Sequence, residues 1–140
     1  MIVVCATSGV QVGTEQCWKL AEEAGLPRII FVNKMDRENA DFDSILDNLR
    51  GKFGKHVLPL QLPLGKEENF QGIIDLYKMK AYRTNGNGSD EIEIPDEYKE
   101  AAAAALVNAI STIDKAASKG VYHKNNAARK VSNIFKINVI

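Results

Sequence analysis

The 140 residues carry 18 basic and 18 acidic side chains, with 45% hydrophobic and 26% charged residues, a globular balance that excludes wholesale disorder. The longest apolar run, residues 101–107, is far too short to span a bilayer, and the apolar start lacks the basic region of a signal peptide, so no membrane partner is expected. Two thiols, Cys5 and Cys17, cannot build a disulfide scaffold, and a reducing, cytoplasmic setting is expected.

Residues 2–6 form a short apolar run that reads as a buried strand, followed by a turn at Thr7, Ser8 and Gly9. Thr14 is placed to cap a helix whose first turn holds Glu15 and Gln16. Cys17, Leu20, Ala21 and Ala24 fall at helical spacing on one face, with Trp18 beside them. Gly25 stands where a left-handed residue closes a helix, and Pro27 prevents continuation. Residues 29–32 are a second apolar strand. The three elements make a βαβ unit with parallel strands.

Asn33, Lys34, Met35 and Asp36 follow that strand directly. Phe42, Ile45, Leu46, Leu49 and Phe53 mark an amphipathic helix ended by Gly51 or Gly54. Residues 57–62 read as a strand that Pro59 pushes to a sheet edge. Residues 72–77 and 78–82 are further strand material, and residues 85–88 (Asn, Gly, Asn, Gly) are the strongest turn signal in the chain. Residues 91–94 alternate with period two. Pro95 and Asp96 open a helix that the alanines at 101–105 favour and that reaches Lys119, with Gly120 as its stop. A last helix is expected from His123 to about Lys136, with Ala128, Val131 and Phe135 on one side.

The zero net charge hides a split. Residues 1–100 carry 12 basic and 17 acidic side chains, whereas residues 101–140 carry six basic and one acidic, with no acid after Asp114. Such asymmetry points to a join between two units or to a basic end that meets an acidic polymer.

The placement of Asn33, Lys34 and Asp36 at a strand's carboxyl end is where open α/β sheets bind ligands. A fixed carboxylate at Asp36 can accept from the adjacent N1–H and N2 amino group of guanine together, with charge-assisted bonds. Adenine has no N1 proton and would leave that carboxylate unpaired. Asn33 can bridge the base edge to backbone, and the aliphatic stem of Lys34 can lie on the base while its ammonium stays in water. The competing reading is a polar loop in which Asp36 merely caps the next helix.

Residues 1 to about 99 closely resemble bacterial elongation factor G, a translational GTPase. The likeness runs through Val4, Cys5 and Ala6; Gly9, Val10 and Gln11; Gly13, Thr14 and Glu15; Trp18; and residues 31–37 with Asn33, Lys34, Met35 and Asp36. It continues through residues 59–65, Phe70, Gln71 and Gly72, Asp75 and Leu76, and Met79, Lys80 and Ala81. The resemblance implies that Asn33, Lys34, Met35 and Asp36 are the guanine-specifying element of a GTP or GDP site. It also implies that residues from about 40 onward begin an inserted α/β subdomain. A Gly-rich turn ending in Gly-Lys-Thr and the Asp-x-x-Gly segment that reaches Mg²⁺ are not found among the 140 residues. The expectation is therefore weak nucleotide binding, no Mg²⁺ ligands and no hydrolysis by this chain alone.

Residues 101–132 resemble something different: the C-terminal part of the bacterial small-subunit ribosomal protein twenty, which binds ribosomal RNA. The likeness is strongest over residues 111–130. Lys115, Lys119, Lys124, Arg129 and Lys130 can neutralise phosphates, and His123, Asn125 and Asn126 add donors for phosphate or 2′-OH contacts. The apolar ending, residues 131–140, departs from that family. The fold class expected is α/β: a partial P-loop-type G domain over 1–99, comprising the βαβ unit and the start of its inserted subdomain, then an α-helical hairpin over 100–140.

Three functions follow. The chain is a G-domain fragment of an elongation-factor-like protein that keeps guanine recognition without catalysis; or an RNA-binding module on an α/β appendage, with the ribosome as partner; or a chimera with no independent function. Cys5 and Cys17 read as packed core thiols, since nothing basic flanks them. His56 reads as a loop residue without a second metal ligand, Glu67 and Glu68 as solvated rather than an acid/base pair, and Trp18, Phe42 and Phe53 as core.

Overall fold

The computed structural model describes residues 1–118 and is a mixed α/β protein. Within it the chain forms two compact units, one of Met1–Val57 with Gly65–Gln71, the other of Leu58–Leu64 with the described residues from Gly72 onward. The position expected to divide the chain, 99 to 100, lies within a single continuous helix.

In the first unit, β1 (Ile2–Cys5) pairs in parallel with β2 (Ile30–Asn33), Ile2 opposite Ile30 and Cys5 opposite Asn33. The helices α1 (Val12–Glu23) and α2 (Phe42–Phe53) complete it. Strand alternation puts Ile2, Val4, Ile30 and Val32 on one face, where they join Ala6, Met35, Ala40, Ile45 and Leu49 in one core. Trp18, Phe42, Phe53 and Phe70 pack around its margin.

Local chemistry explains the helix ends and corrects two expectations. α1 starts at Val12 with Gln11 as its cap, three residues before the Thr14 cap expected; the Gln11 N–H donates to Thr14 Oγ1 at 3.4 Å, so Thr14 serves from inside the first turn. The packed stripe of α1 is Thr14, Trp18 and Ala21, while Cys17, Leu20 and Ala24 are exposed. Both stripes have helical spacing, and only the neighbouring elements choose between them. At the other end, Gly25 has φ +63°, with Leu26 N–H bonded to the Ala21 carbonyl and Gly25 N–H to that of Glu22, a Schellman closure as Gly25 suggests. α2 is capped by Asp41, whose carboxylate accepts from Asp43 N–H at 3.3 Å, and ends at Gly54 rather than Gly51.

The second unit is an antiparallel sheet in the order β3 (Gln61–Leu64), β4 (Gly72–Asp75), β5 (Lys80–Thr84) and β6 (Ser89–Ile92), followed by α3 (Asp96–Ser118). Leu62, Ile74, Ala81 and Ile92 form one cross-strand row. They pack with Leu64, Leu76, Ile94, Ala102, Tyr98 and Ala105, so the alanines of α3 present a small surface to its core. β3 begins after Pro59 and lies at the sheet edge, where Pro63 costs no ladder bond. β6 begins two residues before the alternating run at 91–94, because the Asn85–Gly88 turn (Asn85 N–H to Gly88 carbonyl, 3.1 Å) sets the register at Thr84 and Ser89. The second arm of the expected helical hairpin, from His123 to about Lys136, lies outside the described residues.

Candidate functional site

The carboxyl ends of β1 and β2 lie side by side, and each feeds a loop. The β1 loop turns at once: Ser8 and Gly9 N–H both bond to the Cys5 carbonyl, at 3.3 and 2.9 Å. Asn48 of α2 holds it from below, its Oδ1 accepting from Val10 N–H at 3.3 Å. The β2 loop leaves the sheet at Asn33, whose carbonyl still accepts from Ala6 N–H at 2.8 Å.

Asn33, Lys34, Met35 and Asp36 are distributed over that second loop by burial. Met35 is buried in the core of the first unit and anchors the loop. Asn33 Oδ1 accepts from the Lys34 N–H at 2.9 Å, which stabilises Lys34 at φ +63°. This leaves the Lys34 and Asp36 side chains exposed. Arg37 N–H returns to the Lys34 carbonyl and Ala40 N–H to that of Arg37, so two tight turns end on buried Ala40. Asp36 does not cap α2; Asp41 does. Among the described residues no hydrogen bond or ion pair engages the Asp36 carboxylate, which is free to accept a pair of donors.

Cys5 sits at the junction of the two loops, opposite Asn33. It is half-buried and Cys17 is exposed, so neither is the packed core thiol expected. Hydrogen bonds from the Thr7 hydroxyl, with Sγ and Oγ1 3.2 Å apart, and from the Thr7 and Ser8 backbone and side chain pull the Cys5 thiol down to about 7. Donors, not a neighbouring cation, do this, so the thiol is lowered without any flanking Lys or Arg.

Glu67 and Asn48 are two further residues that hold these loops. Glu67, in the one-turn 3₁₀ segment Glu67–Asn69, accepts from Asn39 N–H at 2.9 Å. Neither residue stands at a recognisable spacing from Asp36, so no sequence signal marks them. His56 lies near Trp18, ring centroids 6.4 Å apart, and is exposed.

Of the residues expected to meet RNA, Lys115 lies exposed in the last turns of α3. Lys119, His123, Lys124, Asn125, Asn126, Arg129 and Lys130 lie outside the described residues. No helix among the described residues is long and apolar enough to cross a membrane.

Comparison with known proteins gives three likenesses. Residues 90–138 match the family model of ribosomal protein S20. The chain is 38% identical over 104 residues to an elongation factor G-like protein of Thermotoga maritima, a match that covers 74% of this chain and 15% of that protein. A crystal structure of a Thermus thermophilus protein superposes with a TM-score of 0.74 at 33% identity, covering 91% of this chain and 20% of that one. The chain thus spans a fifth or less of the length of these relatives. A 104-residue match cannot end before residue 104, so the elongation-factor likeness and the S20 likeness share residues 90–104, across β6 and into α3.

Proposed function

We propose that this chain, a segment similar to elongation factor G overlapped by a segment matching ribosomal protein S20, acts in translation by reading a guanine base at Asp36. The observation that carries the reading is the Asp36 carboxylate: exposed and unengaged among the described residues, on a loop pinned by buried Met35 and Ala40. Guanine offers two parallel N–H donors to such an acceptor, and the bonds are charge-assisted. Asn33, at the end of β2, faces the base edge in this reading, and the Lys34 stem covers the ring. The loop belongs to a partial G-domain arrangement, a parallel βαβ unit with an α/β insertion.

The reading assigns GTP or GDP as ligand through its base. One bidentate base contact contributes on the order of 1–3 kcal/mol, so binding no tighter than roughly millimolar follows. Among the described residues no group of three or more His, Cys, Asp or Glu side chains is placed to hold a metal ion. The test is a titration of the chain with GMP and AMP followed by amide chemical shifts. GMP should shift residues 33–37 and AMP should not, and Asp36→Ala should abolish the difference. Equal response to both nucleotides overturns the reading.

A second reading is favoured by the S20 match over 90–138: the basic end binds ribosomal RNA through Lys115, Lys119, Lys124, Arg129 and Lys130, helped by His123, Asn125 and Asn126. Five phosphate contacts would make the logarithm of affinity fall with that of salt at a slope of about −3.5 to −4.5. A flat salt dependence on a ribosomal RNA fragment removes this reading.

A further inference from the structure

We infer that Glu67 is a positioning residue for the base-reading loop: its carboxylate grips the Asn39 backbone and thereby fixes the exposed half of the loop that carries Asp36. This inference rests on the reading of Asp36 given above.

The loop from Asn33 to Ala40 is closed by short-range bonds, Lys34 N–H to Asn33 Oδ1, Arg37 N–H to the Lys34 carbonyl and Ala40 N–H to the Arg37 carbonyl. Met35 and Ala40 are buried, but Asp36, Arg37, Glu38 and Asn39 between them are exposed. Turns of this kind slide easily when nothing outside holds them. Glu67 Oε1 provides the outside hold, taking the Asn39 N–H at 2.9 Å from 28 residues further along the chain. A carboxylate on a backbone N–H is a charge-assisted bond, stronger than the neutral turn bonds around it.

The segment that delivers Glu67 is itself tightly specified. Gly65 has φ +88°, and a Cβ there would lie 1.9 Å from the Asn69 carbonyl oxygen, so no other residue fits that turn. Asn69 N–H to the Lys66 carbonyl and Phe70 N–H to that of Glu67, each 2.9 Å, wind the single 3₁₀ turn. Phe70 then packs against the core of the first unit. Both partners of the clamp adopt left-handed backbone without being glycine, Asn39 at φ +63° and Glu67 at φ +49°. Such conformations persist where surrounding contacts over-determine them, and they cluster at ligand-gripping segments. With Asn39 held, the Asp36 carboxylate three residues earlier has less freedom to lose when a base binds.

The full-length ¹⁵N-labelled chain, titrated with GMP and AMP, tests this. Glu67→Ala should weaken GMP binding about threefold to tenfold and accelerate exchange of the Asn39 amide, leaving the response to AMP unchanged. Glu67→Gln, whose amide oxygen still accepts from Asn39, should keep both the slow exchange and most of the affinity. This conservative variant decides the matter even if Glu67→Ala loosens the fold. GMP binding lost in Asp36→Ala but intact in Glu67→Ala, with Asn39 exchange unaltered, overturns the role of Glu67 alone. Equal binding of GMP and AMP, insensitive to Asp36→Ala, overturns the guanine reading and the role of Glu67 with it.

Discussion

Trp18 of α1 stacks on Phe53 of α2 with ring centroids 4.2 Å apart and planes 15° from parallel. The Arg28 guanidinium lies over the same indole, 4.2 Å from its centre, and also pairs with Glu22 at 3.1 Å. This stack joins the two helices of the first unit at the margin of their shared core. Phe53→Ala should destabilise that unit by about 2–3 kcal/mol, below the cost of a fully buried ring because Phe53 is only half-buried. Arg28→Ala should cost about 0.5–1 kcal/mol. Urea unfolding followed by the fluorescence of Trp18, the single tryptophan, measures both. A Phe53→Ala loss no larger than that of Arg28→Ala would contradict the stack's role.

Val3 and Phe31 are register partners on the other face of the two-stranded sheet, 54% and 51% exposed. An apolar pair of this kind, with open strand edges beside it, promotes self-association. Phe31→Thr should lower the binding of an apolar dye and reduce concentration-dependent association seen by light scattering. It should change stability by no more than about 0.5 kcal/mol, since Thr suits a strand and little packing is lost.

Cys5 titrates near neutrality, lowered from an ordinary 9.0 to about 7 by the Thr7 and Ser8 donors. The folded chain therefore binds fewer protons at this site than the unfolded chain between about pH 7 and pH 9. The stabilisation that this brings is complete above pH 9 and is lost as pH falls through about 7. In a Cys17→Ser background, iodoacetamide should modify Cys5 with a midpoint near pH 7. Thr7→Val removes the leading donor and should move that midpoint upward. An unmoved midpoint shows that the Thr7 hydroxyl is not the cause.

Gly65→Ala should destabilise the chain by roughly 2–4 kcal/mol, because the left-handed backbone and the clash with the Asn69 carbonyl act together. Thermal melts followed by circular dichroism measure it. Gly51→Ala is the control: a Cβ at this position of α2 would meet nothing within 4 Å, so the change should be neutral or slightly stabilising.

Much of the local architecture could be read directly from residue order. The apolar run at 2–6, the Gly25 stop, the Ile45 and Leu49 stripe and the Asn85–Gly88 turn are each written within a few neighbouring residues. They reappear as β1, the end of α1, the buried face of α2 and the β5–β6 connection. What escaped depended on distant partners. Leu20 and Trp18 are equally spaced for burial, and the neighbouring β1 and α2 select Trp18. Glu67 looks like any solvated acid until the chain brings Asn39 beside it.

Residue order alone indicated the βαβ start, that Asn33 to Asp36 follow the second strand of a parallel pair, and that the basic charge gathers after residue 101. Folding in three dimensions chose the buried faces, freed the Asp36 carboxylate by giving the helix cap to Asp41, and set Glu67 against the loop. The physical reason is range. Backbone preferences act over a few residues, whereas burial and long-range hydrogen bonds exist only after remote segments have met.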